Sequence, residues 1–101
     1  MLTIKTHIWF DEWLNRLKDE QGRTEILRRI RRFQLGAFND VKYLEHGVSE
    51  MRIHVGPGYR VYYARIGKTV YLLIGGGDKS SQSRDIARAI NILSHLKDFI
   101  S

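Results

Sequence analysis

A chain of 101 residues and 11.8 kDa has room for one domain, residues 1–101, and no second core. Its 17 Lys+Arg against 11 Asp+Glu give a formal net charge of +6, which suits a polyanionic partner: nucleic acid, an acidic membrane surface or an acidic protein. Cysteine is absent, which excludes a disulfide framework, a thiol nucleophile and any Cys-ligated metal centre.

Leu2 to Lys5 alternates weakly and predicts a short first strand, with Thr6 as N-cap of the helix that follows. Phe10, Trp13, Leu14 and Leu17 then recur at helical spacing as one apolar stripe, and Gln21-Gly22 interrupts or ends that helix. A second helix carries Ile26, Leu27, Ile30 and Phe33 on one face and stops near Gly36, a residue suited to a left-handed C′ position. The two make a helical hairpin with a very short connection. Beyond Asn39-Asp40 the period changes. Met51, Ile53 and Val55 alternate with Glu50, Arg52 and His54, the pattern of a half-buried strand with a charged outer face.

Gly56-Pro57-Gly58 reads as a turn and Tyr59–Ile66 as a second strand. Gly67-Lys68 is a tight connection to a third strand, Thr69–Ile74, which is apolar on both faces and therefore central, and which Gly75-Gly76-Gly77 ends. A last helix runs from about Ser81 or Ser83 to Phe99. Ile86, Ile90, Leu93 and the stem of Lys97 line one side, and Ala89, Ile92, Leu96 and Ile100 widen that stripe. A face this broad exceeds what a small sheet needs and leaves room for a partner, whether another protein or a second copy of the chain. The order β-α-α-β-β-β-α, with helices before and after an antiparallel meander, is an α+β arrangement.

The longest apolar stretch, Val70 to Ile74, is far short of the roughly 20 residues that cross a bilayer. Met1 to Phe10 has no long apolar run, and Asp11 and Glu12 follow at once, so no secretory signal is expected. The expectation is a cytoplasmic protein, without membrane attachment, whose first residue already belongs to the fold.

Two groups of cations stand out. Arg28, Arg29, Arg31 and Arg32 flank Ile30 on the second helix. Such a run is what a solvated helix face looks like; it also suits a phosphate-contacting ridge, because the planar guanidinium makes bidentate contacts with phosphate oxygens. The second group is on the strands. Arg52 and His54 share parity on one strand, Arg60 follows the turn onto the next, and Lys79 and Arg84 follow the last strand into the helix. Cations on a sheet surface, beside a glycine-rich edge that permits close approach, suit an RNA phosphate better than a metal. In RNA transesterification a 2′-hydroxyl attacks the adjacent phosphorus, so a site must remove one proton, neutralise the phosphorane and protonate the leaving 5′-oxygen. An imidazole such as that of His54 exchanges protons near neutral pH; a lone histidine on a sheet face is equally a structural or surface residue.

Tyr62 shares parity with Arg60 and is the candidate for stacking on a base, whereas Tyr63 shares parity with Val61 and belongs in the core. Trp9 and Trp13 are expected in the core or at a helix rim. His7, His46, His54 and His95 lack metal-ligand spacing, and Gly75 to Ser80 lacks the spacing of a P-loop, so neither a metal nor a nucleotide cofactor is expected.

Three blocks in order carry a family resemblance: Gly47 to Ile53 (GVSEMRI), Gly56 to Tyr63 (GPGYRVYY), and Leu73 to Ile86 (LIGGGDKSSQSRDI). With the paired helices ending at Leu35-Gly36, they make nearly the whole chain resemble the RelE/ParE toxin superfamily, in particular its HigB-like addiction-module killer branch. The resemblance implies a type II toxin that enters the ribosomal A site and cuts mRNA without a metal. It implies a cognate antitoxin, HigA-like and helix-turn-helix, and so a toxin–antitoxin hetero-oligomer, with a homodimer as the other assembly. It maps Arg52 and His54 to the basic strand positions, Arg60 to the arginine that stabilises transition-state charge, and Lys79 and Arg84 to the basic positions after the last strand. Some members carry two lysines where this chain has Arg52 and His54, and others end with a tyrosine or histidine proton donor. Here Asp85 and His95 are the nearby groups, so the general acid and base stay open. His54 is the favoured candidate, with Arg60 and Lys79 on the scissile phosphate, Arg52 orienting it, and Glu50 paired with Arg52 or another cation. The ParE side of the superfamily instead poisons DNA gyrase, and a non-enzymatic binding module is a third alternative; fold alone does not separate them.

Overall fold

A computed structural model describes the backbone of residues 1–100 and the side chains through Leu96. Lys97 and Ile100, placed above on the last helix's apolar stripe, lie outside the side chains described.

The elements are β1 (Thr3–Thr6), α1 (Ile8–Arg16), α2 (Glu20–Gln34), β2 (Val41–Glu45), β3 (Val48–Ile53), β4 (Tyr59–Arg65), β5 (Val70–Asp78), a 3-10 turn (Lys79–Ser81) and α3 (Gln82–Ile100). The α+β class expected from the sequence holds, but the element order does not. A further strand, β2, precedes the meander, and the sheet is mixed: its order is β1-β5-β4-β3-β2, with β1 parallel to β5 and the other neighbours antiparallel. Strand β2 is joined to β3 through His46 and Gly47, both at positive φ (51° and 84°), which is the backbone of a two-residue hairpin turn.

The helices begin and end for local reasons. The N-cap of α1 is His7 rather than Thr6, because its Nδ1 accepts the Trp9 N–H at 3.0 Å. The break between α1 and α2 comes before Gln21-Gly22, not at it. Asp19 caps α2 by accepting the Gly22 N–H at 3.0 Å, so Gln21 and Gly22 lie within its first turn. Gly22 is required there, since a Cβ would overlap the Tyr59 ring, whose hydroxyl donates to the other Asp19 oxygen at 2.7 Å. At the far end Gly36, with φ of 101°, closes a Schellman motif: its N–H reaches the Phe33 carbonyl and that of Ala37 reaches Arg32, both at 2.9 Å.

Each face of the sheet carries its own apolar cluster. Phe10 of α1 and Ile26 and Phe33 of α2 pack with Met51, Ile53, Val61, Tyr63 and Leu73. On the other face Ala89 and Leu93 of α3, with Trp9, pack against Val48, Tyr62, Ala64, Leu72 and Ile74. Strand β5 is thus covered on both faces, as its unbroken apolar run predicts, although β4 holds the middle of the sheet. The glycine run does not end β5; Gly75, Gly76 and Gly77 lie within it. A Cβ on Gly75 would fall inside the Trp9 ring and one on Gly76 would strike Trp13, so the glycines let α1's indoles rest directly on the backbone. No helix described is long and apolar enough to cross a membrane.

Candidate functional site

Strand register assembles the cations named from the sequence. Arg52 faces Arg60 across β3 and β4, and Arg60 in turn faces Gly77 of β5. The chain leaves β5 through Asp78, whose carboxylate accepts the Ser80 N–H at 2.8 Å and so caps the 3-10 turn. The Ser80 hydroxyl holds the Asp78 carboxyl below the usual carboxylate range, against the opposing effect of burial. Exposed Lys79 is thereby set beside the Gly56-Pro57-Gly58 turn. A Cβ on Gly58 would lie 3.7 Å from Arg60 Nη1 and 3.9 Å from the Lys79 Cβ. Arg60 and Lys79 therefore meet at one end of the sheet, Arg52 lies across from Arg60 in register but lines a cleft with α2, and Arg84 is exposed in the first turn of α3.

Arg60 is not a free cation. Its side chain is 13% exposed, its Nη1 donates to the Gly58 carbonyl at 3.1 Å, and its Nε lies 3.7 Å from Glu50 Oε2. That last distance permits Coulomb attraction but is too long for a hydrogen bond. Glu50, 3% exposed in its side chain, also accepts Gln82 Nε2 at 3.1 Å. Glu50 was expected to hold Arg52 or another cation; it holds Arg60 and is itself tied to α3. Nothing in the sequence singled out Gln82. The close approach allowed by Gly77 is likewise to protein, because the Asp85 carboxylate occupies the space a Cβ would take. Asp85 is buried and accepts the Ser81 hydroxyl at 2.6 Å.

The stacking role expected of Tyr62 is overturned. The residue shares a face with Arg60 as its parity predicts, but α3 covers that face and Tyr62 is fully buried. Burial, reinforced by Asp85 and Glu50 and opposed by Arg60, pushes its phenol well above the ordinary value. Tyr63 is in the core, as expected.

His54 stands apart from Arg60. Strand β3 ends at Ile53, where the Val55 N–H turns back to the Ile53 carbonyl at 3.0 Å, so His54 does not continue the strand face of Arg52. It is exposed, with Nε2 3.6 Å from Asp40 Oδ2. Asp40, in the turn after α2, also accepts the Arg52 N–H through its backbone carbonyl at 2.9 Å. The sequence marked this residue only as a change of period.

The arginine ridge on α2 divides. Arg28 is paired with Glu25, Arg31 donates to Gln34 at 3.1 Å, and Arg32 is exposed. Arg29 leaves the ridge altogether. It is 5% exposed, between Ile26 and Phe33 on the buried face, with Nη1 3.5 Å from the Ala37 carbonyl. Leu27, expected on that face, is 49% exposed. Burial, then the neighbouring Arg32, pushes the Arg29 guanidinium below its ordinary pKa, with Asp40 opposing. Arg29, Arg32, Arg52 and His54 line a cleft of about 120 Å3 with Glu25 and Asp40.

A larger groove, about 470 Å3, lies at the opposite end of the sheet among Phe33, Phe38, Tyr43, Tyr63 and Tyr71. Its arginine, Arg65, is held by the Gly67 and Lys68 carbonyls at 3.0 and 2.8 Å, so this groove is apolar in character and away from the cation cluster. Among the described residues no group of three or more His, Asp or Glu is placed to hold a metal ion.

No known protein-family model matches the chain. It is similar to an uncharacterized protein of Haemophilus influenzae, with 43% identity over 88 residues that span 87% of this chain and 89% of that protein. At that identity and coverage, the chain belongs to the same family as the Haemophilus influenzae protein.

Proposed function

We propose that this chain is the toxin of a type II toxin–antitoxin system, a HigB-like member of the RelE/ParE superfamily that cleaves mRNA on the ribosome and is neutralised by a cognate helix-turn-helix antitoxin. The observation that carries the reading is the meeting of Arg60 and Lys79 at the Gly56-Pro57-Gly58 turn, with Arg52 opposite Arg60 in strand register, in a chain of net charge +6. In the cleavage step, the 2′-hydroxyl gives up its proton as its oxygen bonds to phosphorus. The bond to the 5′-oxygen breaks, that oxygen takes up a proton, and a 2′,3′-cyclic phosphate remains. Lys79, exposed beside the turn, supplies positive charge to the phosphorane. Arg60, held by Glu50 and the Gly58 carbonyl, supplies a fixed guanidinium edge. His54, the histidine beside Asp40, is the candidate for moving a proton.

Two observations favour the gyrase-directed alternative: Arg60 already has a buried counter-ion, and His54 lies beyond the strand that carries Arg52. Primer extension on mRNA from cells expressing the chain, run beside a gyrase supercoiling assay, separates the two. In-frame cuts that depend on translation are expected. Inhibited supercoiling with intact messages selects the alternative and overturns the endoribonuclease reading.

A further inference from the structure

We infer that the cleft between α2 and the end of β3 is a binding site for a phosphate group, distinct from the Arg60–Lys79 cluster. Its residues are Arg29, Arg32, Arg52 and His54, opposed by Glu25 and Asp40. Glu25 is already committed to Arg28, and Asp40 faces His54, so the three guanidiniums outnumber the carboxylates left to balance them. Two of these guanidiniums are poorly satisfied: Arg29 Nη2 and Arg52 Nε are buried and have no hydrogen-bond partner among the described residues.

A buried guanidinium without a full complement of acceptors is costly, and native folds seldom keep one without a reason. A helix side such as Ile26–Arg29–Phe33 would be better filled by methionine or leucine if packing were its only task. An anion in the cleft answers that cost. Arg32 and exposed His54 at the lip offer direct donors, as does the half-buried Arg52, and the buried charge of Arg29 acts through the low-dielectric wall. The volume of about 120 Å3 suits a single tetrahedral oxyanion and is well below the roughly 300–1,000 Å3 of sites that enclose whole organic ligands. Affinity for phosphate stands on this geometry alone. Its assignment to the backbone of an RNA strand rests on the proposed toxin function, in which Arg52 lies between the two cation groups.

The test is a titration of the full chain with inorganic phosphate at constant ionic strength. Nitrogen–proton NMR correlations are followed for the Arg52 side-chain Nε–H and the Asp40 and His54 amides. Saturable shifts at these positions are expected, weakened at least tenfold in Arg32→Gln and in Arg52→Gln but not in Arg16→Gln. Arg29→Met tests the buried member: it should fold with unchanged or higher thermal stability and lose the phosphate response. A short DNA-capped, non-cleavable RNA is then added to the phosphate-loaded protein. Competition assigns the phosphate to a strand. Saturation by phosphate without competition keeps the site and removes its assignment to RNA. The inference is overturned if phosphate produces only non-saturating shifts, or if Arg52→Gln and Arg29→Met respond like the unmodified chain.

Discussion

Replacing Glu50 by glutamine isolates the interaction on which the geometry of Arg60 depends. The carboxylate and guanidinium are 3.7 Å apart, with side chains 3% and 13% exposed, so solvent screens them little. At an effective dielectric near 20, their attraction is on the order of 4 kcal/mol. Removing one member of a buried pair typically costs ~3–5 kcal/mol, because the remaining charge is left uncompensated. For a chain of 101 residues, with an unfolding entropy of roughly 2.1 cal/mol/K per residue, that is a fall in melting temperature of about 14–24 °C. Thermal and urea unfolding followed by circular dichroism would read it. The double variant Glu50→Leu with Arg60→Met should recover more than half of the loss, since neither charge remains buried. A Glu50→Gln protein within about 0.5 kcal/mol of the unmodified chain, the scale of an ordinary surface change, would refute the reasoning. The same arithmetic changes how Arg60 should be probed: Arg60→Ala strands a buried Glu50, so lost toxicity in that variant alone would report unfolding as readily as lost chemistry.

Gly75→Ala should be destabilising by ~1–3 kcal/mol or more, because the new methyl group falls within the Trp9 ring; altered tryptophan fluorescence together with a lowered urea midpoint checks it. The Tyr59 phenol is pushed up to about 12, first by burial and then by its bond to Asp19. A raised folded pKa stabilises the fold fully below the ordinary value of 10.0 and loses that stability as pH climbs toward about 12, so unfolding measured across this window should fall steeply in the unmodified chain and less in Tyr59→Phe. Asp19, lowered chiefly by the Gly22 N–H and then by Tyr59, has the opposite sign: its contribution is present above 3.8 and lost on acidification, a loss that Asp19→Asn should flatten in an acid titration.

The sequence was most legible where one local rule decided the outcome. The Gly36 stop, the β3–β4 turn at Gly56-Pro57-Gly58 and the two-faced burial of β5 follow from backbone conformation and apolar pattern. Strand β2 is not legible in the sequence because a register shift between Tyr43 and Glu45 breaks its alternation, leaving Val41 and Leu44 as its partly buried residues. The glycine run read as a terminator because its partners, Trp9 and Trp13, lie some sixty residues earlier and no local pattern announces them. Parity placed Tyr62 on the correct face but could not say that α3 would cover it. Of the site, the pairing of Arg52 with Arg60 across adjacent strands and the nearness of Lys79 to Arg60 follow from strand order. The burial of Arg29 and the Gln82–Glu50–Arg60 chain do not, since each depends on which helix side meets the sheet.

The most direct measurement of the central claim is message cleavage in a reconstituted translation system, with purified chain added to ribosomes paused on a defined codon. The unmodified chain is expected to cut within the A-site codon and leave the same message intact without ribosomes. Lys79→Ala, whose exposed side chain can be removed without disturbing the core, should slow the cut at least 100-fold, the size expected on losing a donor to transition-state charge. Uncut message on paused ribosomes at saturating protein, or equal cutting by Lys79→Ala, would contradict the account.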